Sequence, residues 1–226
     1  MRSRAGGVEG GSGYYIIAGR QVNWKRFDLA VEACGKLGEK LLIVGDGPEH
    51  SKLVNLAKRF TGQNERTLSN DNNTASLADS SDDQLSCGCG DWRDLLGNKP
   101  ATIIGNFAFL PKYNGVEEIA QYFRCAKGFI FPSLEPFGIV PVEALACGLP
   151  ILAYAHGGST DIVEEGVNGL FFKKQTVDSL ANGIQRFNVA QFDRKKVAKT
   201  AERFNENEFD QRIKQVIKKN IEVGRG

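Results

Sequence analysis

The sequence predicts an α/β fold built on a doubly wound parallel sheet. Short apolar runs alternate with segments of helical periodicity, as in consecutive βαβα units. The strand-like runs are almost continuously apolar, which is typical of parallel strands that helices cover on both faces. Glycine, proline and polar residues separate the runs. These observations together indicate a Rossmann-like domain.

The predicted elements follow one another along the chain. Strands are expected at 14–18, 41–44, 102–110, 128–131, 150–154 and 170–172, and helices at 27–37, 50–60, 116–126, 137–147, 160–165 and 177–187. Pro141 constrains one helix further, because a residue without an N–H is tolerated only in the first turn. That helix is therefore expected to begin near 138–140.

Two segments interrupt or precede this alternation. Residues 1–13 are expected to be a flexible leader, because they lack the apolar core of a signal peptide. The domain itself is predicted to span 14–190. Residues 61–99 are rich in Ser, Asn, Asp and Gly and show no periodicity, which predicts a disordered insertion, with one helical turn possible at 91–96.

The last segment, 191–226, is predicted to form two amphipathic helices. Their apolar positions are Val197, Ala201 and Phe204 on the first helix and Phe209, Ile213, Val216 and Ile217 on the second. We expect these stripes to pack against the domain. Peripheral contact with a membrane surface is the alternative, supported by Lys195, Lys196, Lys218 and Lys219.

Composition excludes several classes of function. A net charge of +2 gives no support to nucleic-acid binding, and no apolar stretch is long enough to span a bilayer. The five cysteines form an odd number and no disulfide framework, so we expect a reducing, cytoplasmic location, with a membrane-peripheral one as the alternative. Cys87 and Cys89 lack the matching ligands of a metal site.

The most informative motif lies between two carboxylates, Glu135 and Glu143. It follows a buried strand and contains the start of the Pro141 helix, whose first amides have no helical partner and can bind an anion. Gly138 lets a ligand approach the backbone closely. Ionised carboxylates accept hydrogen bonds from sugar hydroxyls, and Glu143 could accept two from a ribose diol. The motif indicates nucleotide-sugar binding.

Cations are predicted at the same edge of the sheet. Gly19, Arg20 and Lys25 follow the first strand, and the carboxyl ends of parallel strands share one edge. A guanidinium and an ammonium would stabilise the charge of a departing diphosphate. The chain contains no Asp-x-Asp sequence, and fixed cations would take over the role of a divalent metal, so no metal is expected.

Four segments carry a resemblance to a known family: AGRQVNWKR, VGDGPE, FIFPSLEPFGIVPVEALACGLPILA and GGSTDIVEEGVNGLFF. Together they resemble the donor-binding domain of the family 4 retaining glycosyltransferases (glycosyl transferases group 1). These enzymes have the GT-B fold, of which this domain is one half. The similarity spans about 14–204 without the insertion, and residues 137–144 resemble mannosyltransferase-like members.

The resemblance implies a role for each matching residue. Glu135 would contact the donor sugar, Glu143 the ribose, and Arg20 and Lys25 the diphosphate. Arg20, Lys25 and Glu135 would thereby take part in catalysis. The donor site would also include Gly19, Phe137 and the backbone amides of Gly138, Ile139 and Val140, and the base would lie against Leu110 and Lys112, where Pro111 replaces the glycine of many relatives.

The implied reaction transfers a hexosyl group from a UDP- or GDP-hexose to a hydroxyl acceptor with retention, without a cofactor. Such enzymes also need an N-terminal acceptor-binding domain, which residues 1–13 are too short to supply. The partner is therefore expected in cis or in trans. Two alternatives remain open: a non-catalytic module that binds a nucleotide sugar or a protein partner, and an epimerase with the same fold.

Overall fold

A computed structural model describes residues 13–62, 66–68, 95–97 and 99–223. Its strands are β1 (Tyr14–Ala18), β2 (Lys40–Val44), β3 (Arg66–Leu68), β4 (Ala101–Ile104), β5 (Phe107–Leu110), β6 (Gly128–Phe131), β7 (Ile151–Tyr154) and β8 (Gly169–Phe172). They form one sheet in the order β3-β4-β5-β2-β1-β6-β7-β8. Only the β3–β4 and β4–β5 pairs are antiparallel. The predicted α/β, Rossmann-like fold is therefore confirmed.

Helices cover both faces of the sheet. They are α1 (Phe27–Leu37), α2 (His50–Thr61), α3 (Val116–Cys125), α4 (Ile139–Ala146), α5 (Ser159–Ile162), α6 (Val177–Val189), α7 (Arg194–Thr200) and α8 (Glu206–Val223), with 3₁₀ turns at Asn23–Lys25 and Ala201–Phe204. Alternate side chains of each strand enter opposite cores. Tyr14 and Ile16 pack with α3, α4 and α7, whereas Tyr15 and Ile17 pack with α1, α2 and α6.

Two predicted elements differ from the structure. The apolar run at 102–110 is a hairpin of β4 and β5 rather than one strand, because Gly105 adopts a positive φ of 55° at the turn. The predicted helix at 160–165 is only the single turn of α5. Both differences arise at turns, where local backbone geometry overrides the apolar pattern.

The segment predicted as an insertion, 61–99, is described only in part. Thr61 ends α2, Arg66–Leu68 form β3, and Leu95 and Leu96 are helical. Residues 63–65, 69–94 and 98 of the predicted insertion, which include most of the turn predicted at 91–96, and residues 1–12 of the leader lie outside the described residues.

The C-terminal helices behave differently from each other. Val197 of α7 and Ala201 are buried in the core, as predicted for the first apolar stripe. The second stripe does not pack as expected, because Phe209, Ile213, Val216 and Ile217 of α8 are 42–62% exposed. No helix in the described part of the chain is long and apolar enough to cross a membrane.

The described cysteines include two free thiols and one disulfide-bonded residue, and the reducing compartment inferred from the sequence stays a prediction. Cys34 and Cys147 carry free thiols, but Cys125 is disulfide-bonded. Burial raises the pKa of the Cys147 thiol, and Cys34 is wholly buried, so neither thiol is activated as a nucleophile. The cytoplasmic location stays a prediction.

The chain reverses its direction across the sheet at β1. From β1 it builds one side through β2 and β5, and it then returns to build the other through β6, β7 and β8. In open α/β sheets, ligands bind outside the carboxyl ends of the strands at such a reversal. The residues that follow β1 and β6 are therefore expected to form the ligand site.

Candidate nucleotide-sugar site

The loop after β1 is held against the loop after β2. The Gly19 N–H donates to the carbonyl of Val44 (3.0 Å), and the Gln21 N–H donates to the carbonyl of Asp46 (2.8 Å). Gly45 fits only because it has no side chain, since an added Cβ would lie 2.1 Å from the Gly19 oxygen. The loop that carries Gly19 and Arg20 is thus fixed by its neighbour.

Lys25 ends the 3₁₀ turn that follows this loop. Arg26 comes next with a positive φ of 53°, and its guanidinium bonds to Asp28 at 2.9 Å as α1 begins. This sharp change of direction places Lys25 beside the carboxyl end of β1, with its side chain only 18% exposed. Its Nζ lies 5.3 Å from the Trp24 ring centroid. Both contacts limit the freedom of a normally mobile side chain.

The turn after β6 leads directly into α4. The helix begins at Ile139, so Pro141 occupies its third position, as a proline in the first turn requires. No side chain caps the first amides. Gly138 has no room for a Cβ, which would lie 2.8 Å from Pro141 and 2.9 Å from Phe131. The start of α4 therefore presents backbone N–H groups and the positive end of the helix dipole.

Glu135 connects these two loops. Its Oε1 lies 3.6 Å from the Lys25 Nζ and accepts a hydrogen bond from the Ser133 hydroxyl at 2.8 Å. Its backbone carbonyl accepts from the Gly158 N–H at 2.7 Å. Gly157 and Gly158 make this approach possible, because an added Cβ on either would lie within 2.7 Å of the Glu135 loop. The position of the carboxylate is thus fixed by contacts to the Glu135 backbone and to its side chain.

These loops enclose an open cavity of about 480 Å³ at the ends of β1 and β6. Its polar lining comes from Lys25, Ser133 and Glu135 and from the backbone at the start of α4. Six of the predicted site residues line it: Lys25, Glu135, Phe137, Gly138, Ile139 and Val140. Gly19 lies beside it, since an added Cβ there would be 3.0 Å from the Lys25 Nζ.

The other predicted site residues do not line the cavity. Arg20 is exposed on the loop after β1, and Glu143 is exposed on α4, one helical turn beyond Ile139. Leu110 is wholly buried, and its carbonyl accepts from the Gly45 N–H at 2.8 Å. Lys112 is exposed beyond β5. Contacts of these four residues with a ligand stay predictions.

Sequence reasoning missed two polar residues that organise the loops. Ser133 is buried and bonds to Glu135. Gln21 is also buried; its side-chain amide donates to the Gly45 carbonyl at 2.5 Å, and its Oε1 lies 3.0 Å from the His50 Nδ1. His156 is exposed and stacks on Tyr154 with ring centroids 4.7 Å apart.

The described residues contain no group of three or more histidine, cysteine and acidic side chains that could hold a metal ion. The polar chemistry that the cavity itself presents is one ammonium, one carboxylate, one hydroxyl and a set of backbone amides. Such a set suits an anion next to a polyhydroxylated group.

Comparison with known proteins decides the family. Residues 98–210, half of the chain, match the model of the glycosyl transferases group 1. The chain belongs to this family. The match includes β6, the Glu135 turn and α4, so most of the residues that line the cavity lie within the matched segment.

Relatives and solved structures agree with this membership. An uncharacterized glycosyltransferase of Methanocaldococcus jannaschii is 34% identical over 102 residues, which cover 44% of this chain and 26% of the relative. A lipopolysaccharide outer core galactosyltransferase has the same fold, with a TM-score of 0.68 and 14% sequence identity. The similarity covers 94% of this chain and 50% of the galactosyltransferase chain.

An Anabaena protein in complex with UDP-glucose also shares the fold, with a TM-score of 0.57 at 21% identity. The similarity covers 92% of this group 1 chain and 49% of the Anabaena chain. The chain thus spans about half the length of each of these two solved chains.

Proposed function

We propose that this chain is the donor-binding half of a retaining hexosyltransferase and that its cavity holds a nucleoside diphosphate sugar, a UDP- or GDP-hexose. One observation carries the proposal: Lys25, Glu135 and the amides at the start of α4 converge on one cavity at the reversal point of the sheet. A cation and free amides suit a diphosphate, and a carboxylate suits sugar hydroxyls.

The diphosphate would lie between Lys25 and the amides of Gly138, Ile139 and Val140. Lys25 is paired with Glu135 across 3.6 Å, but a pair near the surface contributes only about 1 kcal/mol or less to stability. Its ammonium has three donors and can therefore bind phosphate oxygens while it stays close to the carboxylate. Arg20, exposed on the adjoining loop, would add a second cation.

The remaining parts of the donor follow from this placement. Glu135 would accept hydrogen bonds from the sugar, and Glu143 would accept them from the ribose one helical turn along the exposed side of α4. The base would extend toward the end of β5, against Leu110 and Lys112. Because the Leu110 side chain is buried, its share of that contact would come from the backbone.

Catalysis would depend on stabilising the departing diphosphate. Lys25 and Arg20, with the α4 dipole, would offset the negative charge that develops on the leaving oxygen. As the bond from the sugar C1 to the diphosphate oxygen breaks, the acceptor oxygen would bond to the same face of C1, which retains the configuration, and the hydroxyl proton would pass to the departing diphosphate. Glu135 would orient the sugar and would not act as a nucleophile. An acceptor-binding domain, in cis or in trans, would supply the hydroxyl, and no divalent metal would be needed.

The comparisons support this proposal from outside the site. The family is shown, and the Anabaena neighbour that shares the fold was crystallised with UDP-glucose. Resemblance to mannosyltransferases at 137–144 makes GDP-mannose the second donor to examine. The sugar itself is a matter for direct measurement.

Binding of UDP, UDP-glucose, GDP and GDP-mannose, measured by titration calorimetry, tests the proposal. Either UDP and UDP-glucose or GDP and GDP-mannose should bind. Lys25→Ala should lower the affinity for these ligands about thirtyfold, because a charged contact with phosphate is lost. Lys36→Ala is the matched control, because Lys36 is exposed and pairs with Asp178 away from the cavity. Absence of binding, or equal affinity of the Lys25 variant and wild type, would contradict the proposal.

Turnover separates catalysis from binding. In an enzyme reconstituted with an acceptor-binding domain, Lys25→Ala and Arg20→Ala should lower kcat more than they raise the donor KM, because the diphosphate charge grows in the transition state. A change in KM alone would mean that both residues contribute only to ground-state binding of the donor.

A further inference from the structure

Ser133 is a buried hydroxyl in the wall of the cavity. It follows β6 by two residues, is 2% exposed and lines the same space as Lys25 and Glu135. Its hydroxyl donates to the Glu135 Oε1 at 2.8 Å. A buried hydroxyl needs a partner, but this one bonds to a charged side chain at the cavity rather than to a nearby backbone carbonyl.

Both polar side chains that hold Glu135 contact the same carboxylate oxygen. Ser133 donates to Oε1, and the Lys25 Nζ lies 3.6 Å from Oε1. Within the described part of the chain, no hydrogen bond to Oε2 accompanies them. The two oxygens of one carboxylate therefore have different environments, and Oε2 keeps its full capacity to accept hydrogen bonds.

The backbone around Ser133 is fixed as well. The Gln175 side-chain amide donates to the carbonyl of Pro132 at 2.8 Å, and the Gly158 N–H donates to the carbonyl of Glu135 at 2.7 Å. These bonds anchor the residues on both sides of Ser133. Its hydroxyl therefore has a defined position from which to hold the carboxylate.

We propose that Ser133 is a positioning residue that directs Glu135 Oε2 toward the donor sugar by holding Oε1. This role rests on the proposed function and assigns a different partner to each oxygen of the Glu135 carboxylate: the protein holds Oε1, and the sugar binds Oε2. A bound diphosphate would draw the Lys25 ammonium toward phosphate oxygens. Ser133 then becomes the main side-chain contact that keeps Glu135 in one rotamer while Oε2 accepts a sugar hydroxyl.

This role predicts a loss that depends on the sugar. Ser133→Ala should weaken binding of the nucleotide sugar about tenfold, the scale of one hydrogen bond to a charged group. Affinity for the nucleoside diphosphate alone should change less than about twofold, because that ligand has no sugar for Glu135 to orient. A role confined to folding would lower both affinities together.

The experiment is calorimetry on the full chain with UDP and UDP-glucose, and with GDP and GDP-mannose. A double-mutant cycle compares Ser133→Ala, Glu135→Ala and the double variant. We expect Ser133→Ala to have no further effect once Glu135 is absent. Thr200→Val is the control, because it removes a hydroxyl that accepts from Asn168 at 2.9 Å, and neither residue lines the cavity. It should leave all affinities unchanged.

The outcomes separate the two proposals. If wild type binds none of these ligands, the proposed function fails and the role of Ser133 fails with it. If wild type prefers the nucleotide sugar and Ser133→Ala keeps that preference, only the role of Ser133 is overturned. Equal losses for both ligands, or an undiminished effect without Glu135, overturn it as well.

Folding of the variant is checked separately by thermal unfolding. Should Ser133→Ala fail to fold, Ser133→Cys carries the same expectation, because it keeps the side-chain volume and replaces the hydroxyl with a weak donor. Ser133→Thr retains the hydroxyl and should recover most of the lost preference for the nucleotide sugar. A threonine variant that folds but behaves like Ser133→Cys would contradict the hydrogen-bond argument.

Discussion

The carboxyl edge of the sheet is open at the β1/β6 junction and closed at the β2/β5 junction. Between β1 and β6 the register ends at Tyr15–Gly128 and Ile16–Phe129, so the last two residues of each strand separate. Between β2 and β5 the pairing continues to Val44–Leu110, and the Gly45 N–H extends it with a bond to the Leu110 carbonyl. The β1/β6 junction therefore opens into the cavity, whereas the β2/β5 junction stays paired to its end.

This difference explains which of the predicted residues meet. Lys25 and Glu135 follow the two strands that diverge, so their side chains enter the space between the loops. Leu110 ends a strand that stays paired, so it is buried in the core. A position at the carboxyl edge is thus not enough to form a site. The neighbouring strands must also separate, which happens here where the chain reverses across the sheet.

Gly45, whose N–H closes the β2/β5 junction and whose Cα packs against the loop after β1, should be the position most sensitive to a small substitution. Gly45 has a φ of 113°, and an added Cβ would lie 2.1 Å from the Gly19 oxygen. Overpacking and backbone strain together predict that Gly45→Ala lowers the free energy of unfolding by about 3 kcal/mol. Urea unfolding of the chain measures this loss. Binding should weaken too, because the loop that leads to Lys25 would shift.

Gly38→Ala provides the control for backbone strain alone. Gly38 also has a positive φ, 71°, but an added Cβ would meet nothing within 4 Å. Its substitution should cost about 1 kcal/mol, the penalty of a left-handed backbone. Equal costs at the two positions would show that the loops after β1 and β2 are not pressed together as the structure has them.

The open junction predicts different behaviour for its two glutamates. Glu135→Gln should weaken binding of a nucleotide sugar about tenfold and leave the nucleoside diphosphate nearly unaffected, because the carboxylate serves the sugar. Glu143→Gln should weaken both ligands by the same factor, about fivefold, because both contain the ribose. Calorimetry with UDP and UDP-glucose, or with the guanosine pair, checks these ratios.

A reversed pattern would exchange the two roles. If neither variant changes any affinity, the cavity at the open junction is not the donor site. Unfolding curves of the variants serve as the control, since Glu143 is exposed and its substitution should alter stability by no more than about 0.5 kcal/mol.

The sequence predicts the elements of this site better than the site itself. Continuous apolar runs locate β1, β2, β6, β7 and β8, and Pro141 locates the start of α4 at Ile139. The Gly105–Asn106 pair is a hairpin signal within the run at 102–110, although the apolar residues around it favour one continuous strand. Local chemistry thus accounts for most of the fold.

The remaining features depend on contacts between distant segments. Neither β1 nor β6 shows in its own sequence that their pairing stops early. Ser133 resembles an ordinary turn serine until Glu135 is placed beside it, and the burial of Leu110 follows from its pairing with β2. Strand register and side-chain hydrogen bonds are tertiary properties, so a pattern within one segment cannot predict them.

The smallest expected effect concerns Phe204 in the C-terminal segment. The Phe204 ring contacts Phe137, a cavity residue, with centroids 5.9 Å apart and nearly edge-on geometry. Phe204→Ala should reduce stability by about 1 kcal/mol, the value of such an aromatic pair. Because Phe137 stays in place through its own backbone, nucleotide affinity should fall by no more than about threefold, which is less than the value of the pair.

Phe209→Ala is the matched control for this last substitution. Phe209 lies on α8 and is 62% exposed, so its loss should alter the free energy of unfolding by less than about 0.5 kcal/mol. Urea unfolding and calorimetry of both variants test the contrast. A larger loss for Phe209 than for Phe204 would mean that α8 carries packing that its exposed stripe does not show. No effect of Phe204→Ala on either measurement would leave the cavity supported by the strand ends and their loops alone.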